Sequence, residues 1–233
     1  MAKQIQALSV FFPAYNEEEN IGTTVKAARQ VLEKIAQKWE IIIVNDGSKD
    51  RTGEIAEGLN KEDGRIKVII HSPNRGYGAS LKSGFYNSRY DWIAFTDADG
   101  QFDFTEISKF LAHKDSADLV LGYRIKRQDP AIRVISAFVW RMIPRVLWGL
   151  NVRDYSCGFK LIKKEVFEAV QPLVGEEKVT QIEMLVKAKR GGFTFAEVGV
   201  RHYPRKFGKQ TGADLKVVAK SFIDLYKLWR KLK

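Results

Sequence analysis

Trp92-Ile93-Ala94-Phe95-Thr96-Asp97-Ala98-Asp99-Gly100-Gln101 is a short apolar run that stops abruptly at two aspartates spaced i, i+2. A run of this length reads as a buried strand, and open α/β sheets gather their ligands where such strands end. Two carboxylates and a carboxamide on alternate residues at that edge suit a divalent ion with hard oxygen ligands. Mg²⁺ and Mn²⁺ prefer that chemistry and are commonly shared with substrate phosphates. The same residues also suit an Asx turn, in which aspartates cap nearby backbone. Asp-x-Asp is too common to choose between the two, so the neighbouring loops must decide.

Working outward, the first 120 residues alternate strand and helix patterns. Leu8 to Phe12 is an apolar run stopped by Pro13, and residues 20–37 carry helical spacing through Ile21, Val25, Ala28, Val31, Leu32 and Ile35. Glu17-Glu18-Glu19 ahead of it suits a helix N-terminus. A second strand, Trp39 to Val44, ends in Asn45-Asp46-Gly47-Ser48. A helix over about 52–59, a strand at 66–71, the turn Pro73-Asn74-Arg75-Gly76-Tyr77-Gly78 and a helix over 79–88 lead to the opening strand. Strands and helices interleaved at this spacing predict a parallel, doubly wound α/β sheet, with polar strand ends along one rim.

The chain has 233 residues, 45% of them hydrophobic, enough for one sizeable core and short for two full domains. A single cysteine, Cys157, excludes an internal disulfide and fits a reducing compartment. The first residues hold no apolar stretch of signal-peptide length, and no apolar run approaches the roughly 20 residues of a membrane span. A cytoplasmic protein is expected. The net charge of +11 is segregated: residues 1–120 carry 15 basic and 18 acidic side chains, 121–153 carry 7 and 1, and 201–233 carry 10 and 2. Such segregation points to an anionic partner, or otherwise to a merely basic, soluble surface.

Past a strand at 119–122 the pattern changes. Residues 132–150 are rich in Ile, Val, Phe, Trp, Met and Leu, with Arg133, Arg141 and Arg145 within one third of a helical turn and Pro144 as a break or kink. The segment reads as an interfacial helix with Trp140 and Trp148 at headgroup level, or as a helix buried on one side. Near the C-terminus, Leu215, Val218, Phe222, Leu225, Tyr226, Trp229 and Leu232 form an apolar face, and Lys216, Lys220, Lys227 and Lys231 a basic stripe. This combination suits an anionic membrane surface, with packing onto the protein's own core as the competitor.

Three strand-end loops now form one constellation: Pro13-Ala14-Tyr15-Asn16-Glu17, Asn45-Asp46-Gly47-Ser48 and Asp97-Ala98-Asp99-Gly100-Gln101. Together they closely resemble the family-2 glycosyltransferases of the GT-A fold. Within that family the chain looks most like the dolichol-phosphate mannose synthase group, which glycosylates polyprenyl phosphates. Further matches are Asn74 to Ala79, Gly122-Tyr123-Arg124, Asp154 to Lys160, Gln181-Ile182-Glu183 and Arg205 to Lys209, so the resemblance runs from about Leu8 to Thr211. It implies a Rossmann-like, mostly parallel sheet with amphipathic interface helices. Residues 1–212 would form the transferase domain, including the 131–150 membrane-interface segment, followed by a basic amphipathic helix over 213–233.

The resemblance also implies roles. Pro13, Ala14, Tyr15, Glu17 and Asp46 fall at the base end of a nucleotide-sugar donor. Many relatives carry Asp where this chain has Asn45, and Asp46 keeps the position assigned to the base. Asp97, Ala98 and Asp99 face the donor diphosphate, with Asp97, Asp99 and Gln101 bridging Mg²⁺ or Mn²⁺ to it. Arg124, Arg205 and Lys209 are candidates for phosphates of donor or acceptor, since guanidinium binds phosphate bidentately. Arg124, Arg133 and Ser156 are assigned to the acceptor, and Asp99, Asp154 and Arg124 to catalysis. A sugar-hydroxyl acceptor would need a carboxylate base, for which Asp154 and Glu183 are the candidates. A phosphate monoester, with a second pKa near 6, is already largely ionised and needs none.

Other chemistry finds little support. His71, His113 and His202 are scattered, with no zinc spacing. Cys157 reads as a small buried residue, Gly76-Tyr77-Gly78 lacks the rest of a dinucleotide fingerprint, and no P-loop exists. The basic segments contain no nucleic-acid-binding motif, so no nucleic acid is expected. The leading expectation is metal-dependent, inverting transfer from a GDP- or UDP-sugar to a polyprenyl or dolichyl phosphate at the cytoplasmic membrane face. Attachment would be peripheral or through a separate membrane-anchor subunit. The alternatives are a soluble or polysaccharide hydroxyl acceptor, and a non-catalytic membrane or nucleic-acid binder.

Overall fold

The computed structural model describes residues 4–125, 142–177, 179–208 and 215–232, with backbone alone for 215–221. Strands β1 (Ile5–Ala14), β2 (Ala36–Asn45), β3 (Ile66–Ile70), β4 (Trp92–Phe95), β5 (Leu119–Ile125), β6 (Lys160–Lys163) and β7 (Phe195–Arg201) form one sheet. Their order is β3-β2-β1-β4-β6-β5-β7. Parallel pairing joins β1 to β2 and β4, β2 to β3, and β5 to β7, whereas β6 runs antiparallel between β4 and β5. The mostly parallel sheet of the sequence reading is found, with one reversed strand inserted.

The period-2 alternation of strand side chains divides the core in two. Val10, Phe12, Ile41, Ile43, Ala94 and Val120 face helices α1 (Ile21–Ile35), α2 (Thr52–Glu62) and α4 (Ile107–Leu111). Phe11, Ile42, Val44, Ile93, Phe95, Leu119 and Leu121 face α3 (Tyr77–Asn87), α6 (Lys164–Ala169), α7 (Val179–Arg190) and α8 (Leu215–Lys231). A further helix, α5, runs through residues 142–148. The two faces explain why these strands read as unbroken apolar runs. Helix α3 lies close on β1: a Cβ at Gly84 would sit 2.3 Å from the Phe11 ring, so the position needs glycine.

Pro13 does not end its strand. Ala14 O accepts from Asp46 N, and Phe11 O from Thr96 N, so residue 13 faces the β4 side. There β4 has already ended at Phe95, and no ladder partner is missed. Residues 154–200, which carried motifs without assigned elements, supply β6, α6, α7 and β7.

The amphipathic segments resolve into two faces each. Leu225 and Leu228 of α8 are 2% exposed and pack in the second core with Leu232, whereas Phe222, Ile223 and Tyr226 are 40%, 56% and 59% exposed. In α5, Ile143 and Trp148 pack on that core, and Val146 and Leu147 are exposed. Trp148 is thus partly buried against the protein's own core; Trp140 and the rest of 126–141 lie outside the described residues. No helix among the described residues is long and apolar enough to cross a membrane.

Candidate active site

The C-terminal ends of β1, β2, β4 and β5 share one rim, and side-chain hydrogen bonds brace its first two loops. Asn16 N–H donates to Ser48 Oγ at 3.0 Å, Lys49 N–H to Asn16 Oδ1 at 2.8 Å, and Glu17 N–H to Thr52 Oγ1 at 2.8 Å. Tyr15 projects from this brace as an exposed ring. Pro13, Ala14 and Ala98 are buried, so their contribution to any donor site comes from backbone.

Asp46 is nearly enclosed. Its Oδ1 accepts from Arg75 N–H at 2.9 Å and lies 2.6 Å from His71 Nδ1, and its Oδ2 accepts from Gly76 N–H at 2.8 Å. His71 Nε2 in turn lies 2.9 Å from Ser83 Oγ. The carboxylate that the sequence reading assigns to a base thus also folds the 74–76 turn over the rim. His71 and Ser83 had no role in that reading.

The Asp-x-Asp loop sets the carboxylates of Asp97 and Asp99 side by side. Asp99 Oδ1 accepts from Gln101 N–H at 3.0 Å, and its Oδ2 lies 3.7 Å from Arg205 Nη1. Arg205 Nη2 donates to Glu17 Oε1 at 2.7 Å, which ties the segment after β7 to the first loop. Burial and the charge of Asp97 push Asp99 up to about 7, against the Gln101 amide and Arg205. Tyr77 Oη donates to Asp97 Oδ1 at 3.1 Å. Gln101 Nε2 donates to Tyr203 O at 2.8 Å, pinning the basic segment against the metal loop.

Two neighbouring carboxylates at a strand end supply the hard oxygen ligands that suit a divalent cation. No group of three His, Cys, Asp or Glu gathers among the described residues. Asp97 and Asp99 would therefore hold such an ion together with donor phosphates and water, the habit of Mg²⁺.

Beside this loop, Arg124 and Asp154 form a bidentate pair, Nε to Oδ2 at 2.8 Å and Nη2 to Oδ1 at 3.0 Å. Ser156 Oγ accepts from Arg124 Nη2 at 2.9 Å. The Asp97 charge reaches this guanidinium, so the acceptor candidates and the metal loop meet. Asp154 is engaged as the partner of Arg124. Glu183, the other candidate base, is fully buried: it accepts from Val174 and Gly175 amides and pairs with Lys187 at 2.7 Å. It organises the α6–α7 connection. Arg133 and Lys209 lie outside the described residues.

The 154–158 strip presses its backbone onto the metal loop. A Cβ at Gly158 would stand 2.2 Å from Asp97 Oδ2, so only glycine leaves that carboxylate its place. Burial pushes the Cys157 thiol up to about 11, which makes it inert. Lys160 is fully buried yet hydrogen-bonded to Tyr155 O, Cys157 O and Gln181 Oε1, and burial lowers it to about 8. Tyr77, Lys160 and Gln181 all fall in stretches that carried the family resemblance, but a lysine inside a strand gives no sequence signal of what it reaches.

A three-layer sheet with an Asp-x-Asp loop at its rim defines the architecture of a GT-A transferase. Over 96% of this chain and 80% of the other, the structure matches glucosyl-3-phosphoglycerate synthase from Mycobacterium tuberculosis in complex with Mn²⁺, UDP and glucosyl-3-phosphoglycerate. The TM-score is 0.74 at 17% identity, a likeness of fold. Residues 9–171 match glycosyl transferase family 2, and the chain belongs to that family. It is 33% identical over 207 residues to glycosyltransferase AglD of Haloferax volcanii, covering 85% of this chain and 33% of AglD. It is 30% identical over 224 residues to undecaprenyl-phosphate 4-deoxy-4-formamido-L-arabinose transferase of Pectobacterium atrosepticum, covering 94% of this chain and 66% of the relative. The chain thus spans about one third to two thirds of the curated relatives it matches.

Proposed function

We propose that this family-2 glycosyltransferase moves a sugar from a nucleoside-diphosphate donor to a polyprenyl phosphate at the cytoplasmic face of a membrane. The observation that carries the reading is the Asp97/Asp99 pair, with one carboxyl raised to about 7, flanked by Arg205 on one side and Arg124 with Ser156 on the other. Tyr15 offers a ring face to the base, and Asp46 Oδ2 an acceptor for a base N–H. Arg205 exchanges part of its hold on Glu17 and Asp99 for the donor phosphates. A bound Mg²⁺ or Mn²⁺ supplies positive charge that stabilises the leaving diphosphate.

Arg124, oriented by Asp154, and Ser156 hold the acceptor phosphate beside the anomeric carbon. A phosphate oxygen bonds to that carbon as its bond to the diphosphate oxygen breaks, with inversion and no sugar–enzyme intermediate. The phosphate arrives ionised, so no proton has to be removed. Asp154, the carboxylate beside the proposed acceptor site, is engaged by Arg124, which supports an orienting role for it. The names of the relatives support a polyprenyl-phosphate acceptor, and exposed Val146, Phe222, Ile223 and Tyr226 beside basic residues support contact with an anionic leaflet.

The test is a panel of radiolabelled GDP- and UDP-sugars with Mg²⁺ or Mn²⁺ and a polyprenyl phosphate, scoring label extracted into organic solvent. Metal-dependent label in that phase is expected; label only on soluble acceptors would overturn the acceptor assignment.

A further inference from the structure

Lys160, at the start of β6 and opposite Phe95 at the end of β4, connects through Gln181 and Tyr77 to the metal loop in one line of hydrogen bonds. Lys160 is fully buried and Gln181 nearly so. Lys160 Nζ donates to Tyr155 O at 3.1 Å, to Cys157 O and to Gln181 Oε1. Gln181 Nε2 donates to Tyr77 Oη at 3.3 Å, and Tyr77 Oη to Asp97 Oδ1 at 3.1 Å.

The direction of this line follows from its first member. An ammonium has three donors and no acceptor, so Gln181 must turn its oxygen to Lys160 and its NH₂ to Tyr77. The phenol oxygen then accepts from Gln181, and its single hydrogen goes to Asp97. A buried line of this kind strengthens along its length and discourages other rotamers. We propose that Lys160, Gln181 and Tyr77 are positioning residues: a directional relay that holds Asp97 as an acceptor and aims its carboxylate at the divalent cation. The same ammonium binds two carbonyls of the 154–158 strip, so the acceptor cluster and the metal loop share one anchor.

This inference rests on the reading of Asp97 as a metal ligand. Outer partners of metal ligands typically govern affinity by about 10- to 100-fold. Gln181→Glu separates the relay from mere packing. It keeps the shape and gives Lys160 a charged partner, but removes the donor to Tyr77 and competes with Asp97 for the phenol hydrogen. Its added negative charge alone would tighten a cation, so a weaker cation reads the relay.

The experiment titrates Mn²⁺ into the full chain, with and without UDP, following free Mn²⁺ by electron paramagnetic resonance, with thermal melts alongside. Gln181→Glu and Tyr77→Phe should each weaken Mn²⁺ about tenfold. The double variant should add little to either, since both cut the same line. Gln181→Glu should also melt no lower than wild type. Mn²⁺ binding by both variants within about twofold of wild type, or tighter binding by Gln181→Glu, would overturn the relay and leave the metal reading standing. A wild-type chain that binds no Mn²⁺ in either condition would overturn both.

Discussion

Arg205 donates from Nη2 to Glu17 Oε1 at 2.7 Å while its Nη1 stands 3.7 Å from Asp99 Oδ2, so one guanidinium bridges the first loop and the metal loop. A hydrogen bond to a charged group is worth about 1.5–3 kcal/mol. Arg205→Ala should weaken UDP or GDP binding in the presence of Mn²⁺ about tenfold or more, measured by calorimetry. It should also lower the melting temperature, because Glu17 stays buried without its cation. Unchanged affinity for both nucleotides would remove Arg205 from the donor site.

Asp99 makes the apoprotein and its cation respond to pH. A carboxyl raised from 3.8 to about 7 on folding favours the folded state below its unfolded value, and that benefit is lost as pH rises through about 7. Without metal, the melting temperature should fall as pH climbs across that window. Mn²⁺ should raise it more at about pH 8 than at about pH 5, where protons compete for the site. Equal Mn²⁺ shifts at the two pH values would count against Asp99 as a ligand.

Asp154→Asn tests orientation against proton transfer. Loss of a general base costs about 10²- to 10⁴-fold in rate and removes a limb of the pH profile. Loss of an orienting partner for Arg124 should instead raise the acceptor KM, keep kcat within about tenfold and leave the profile's shape unchanged. Steady-state kinetics across pH separates the two.

The two faces of α8 should respond oppositely to substitution. Leu225→Ala should cost about 2–5 kcal/mol of stability in denaturant unfolding, as for other buried leucines. Ile223→Glu with Tyr226→Glu, on the exposed face, should leave the melt nearly unchanged and release the protein from phosphatidylglycerol vesicles. Retention on the vesicles would exclude this face as the contact.

At the other end of the sheet, Glu40 is fully buried and accepts from Ser9 Oγ and Arg89 N–H, both at 2.7 Å, and from Lys67 Nζ at 2.8 Å. Burial raises its pKa, but these hydrogen bonds outweigh it and hold the carboxyl below its ordinary 4.5. Its stabilisation is therefore present above that value and lost as pH falls through the lower folded one. Glu40→Gln should cost about 1–3 kcal/mol near neutrality, flatten the acid side of the stability curve and leave transfer intact.

What was legible in the sequence was local or periodic. Apolar runs such as Ile41 to Val44 and Trp92 to Phe95 announce strands buried on both faces, and each ends in the polar residues that line the rim. Asp97 and Asp99 stand out as a carboxylate pair at a strand end, and the roles of Asp46 and Arg124 come from the family resemblance of their loops. The same reading misplaced Pro13, since whether a missing N–H matters depends on how far the neighbouring strand extends. For Trp148 the sequence leaves an interfacial position and a buried one equally open, because an apolar helix face looks alike whether it meets lipid or the protein's own core.

Tertiary structure alone decided which charges meet. Glu17 and Arg205 are far apart in the chain and pair at 2.7 Å; Arg124 finds Asp154 because β6, reversed between β4 and β5, carries the 154–158 strip past both strand ends. Lys160 opens the short strand β6, and nothing near it in the chain tells that its ammonium satisfies three acceptors beneath the metal loop. Backbone propensity and hydrophobic period act over a few residues, so the sequence by itself determined the alternating elements of the first 120 residues and the polar rim at their strand ends. Hydrogen bonds and ion pairs act over a few ångströms of space, so only the folded chain determined how Asp97 and its neighbours are held.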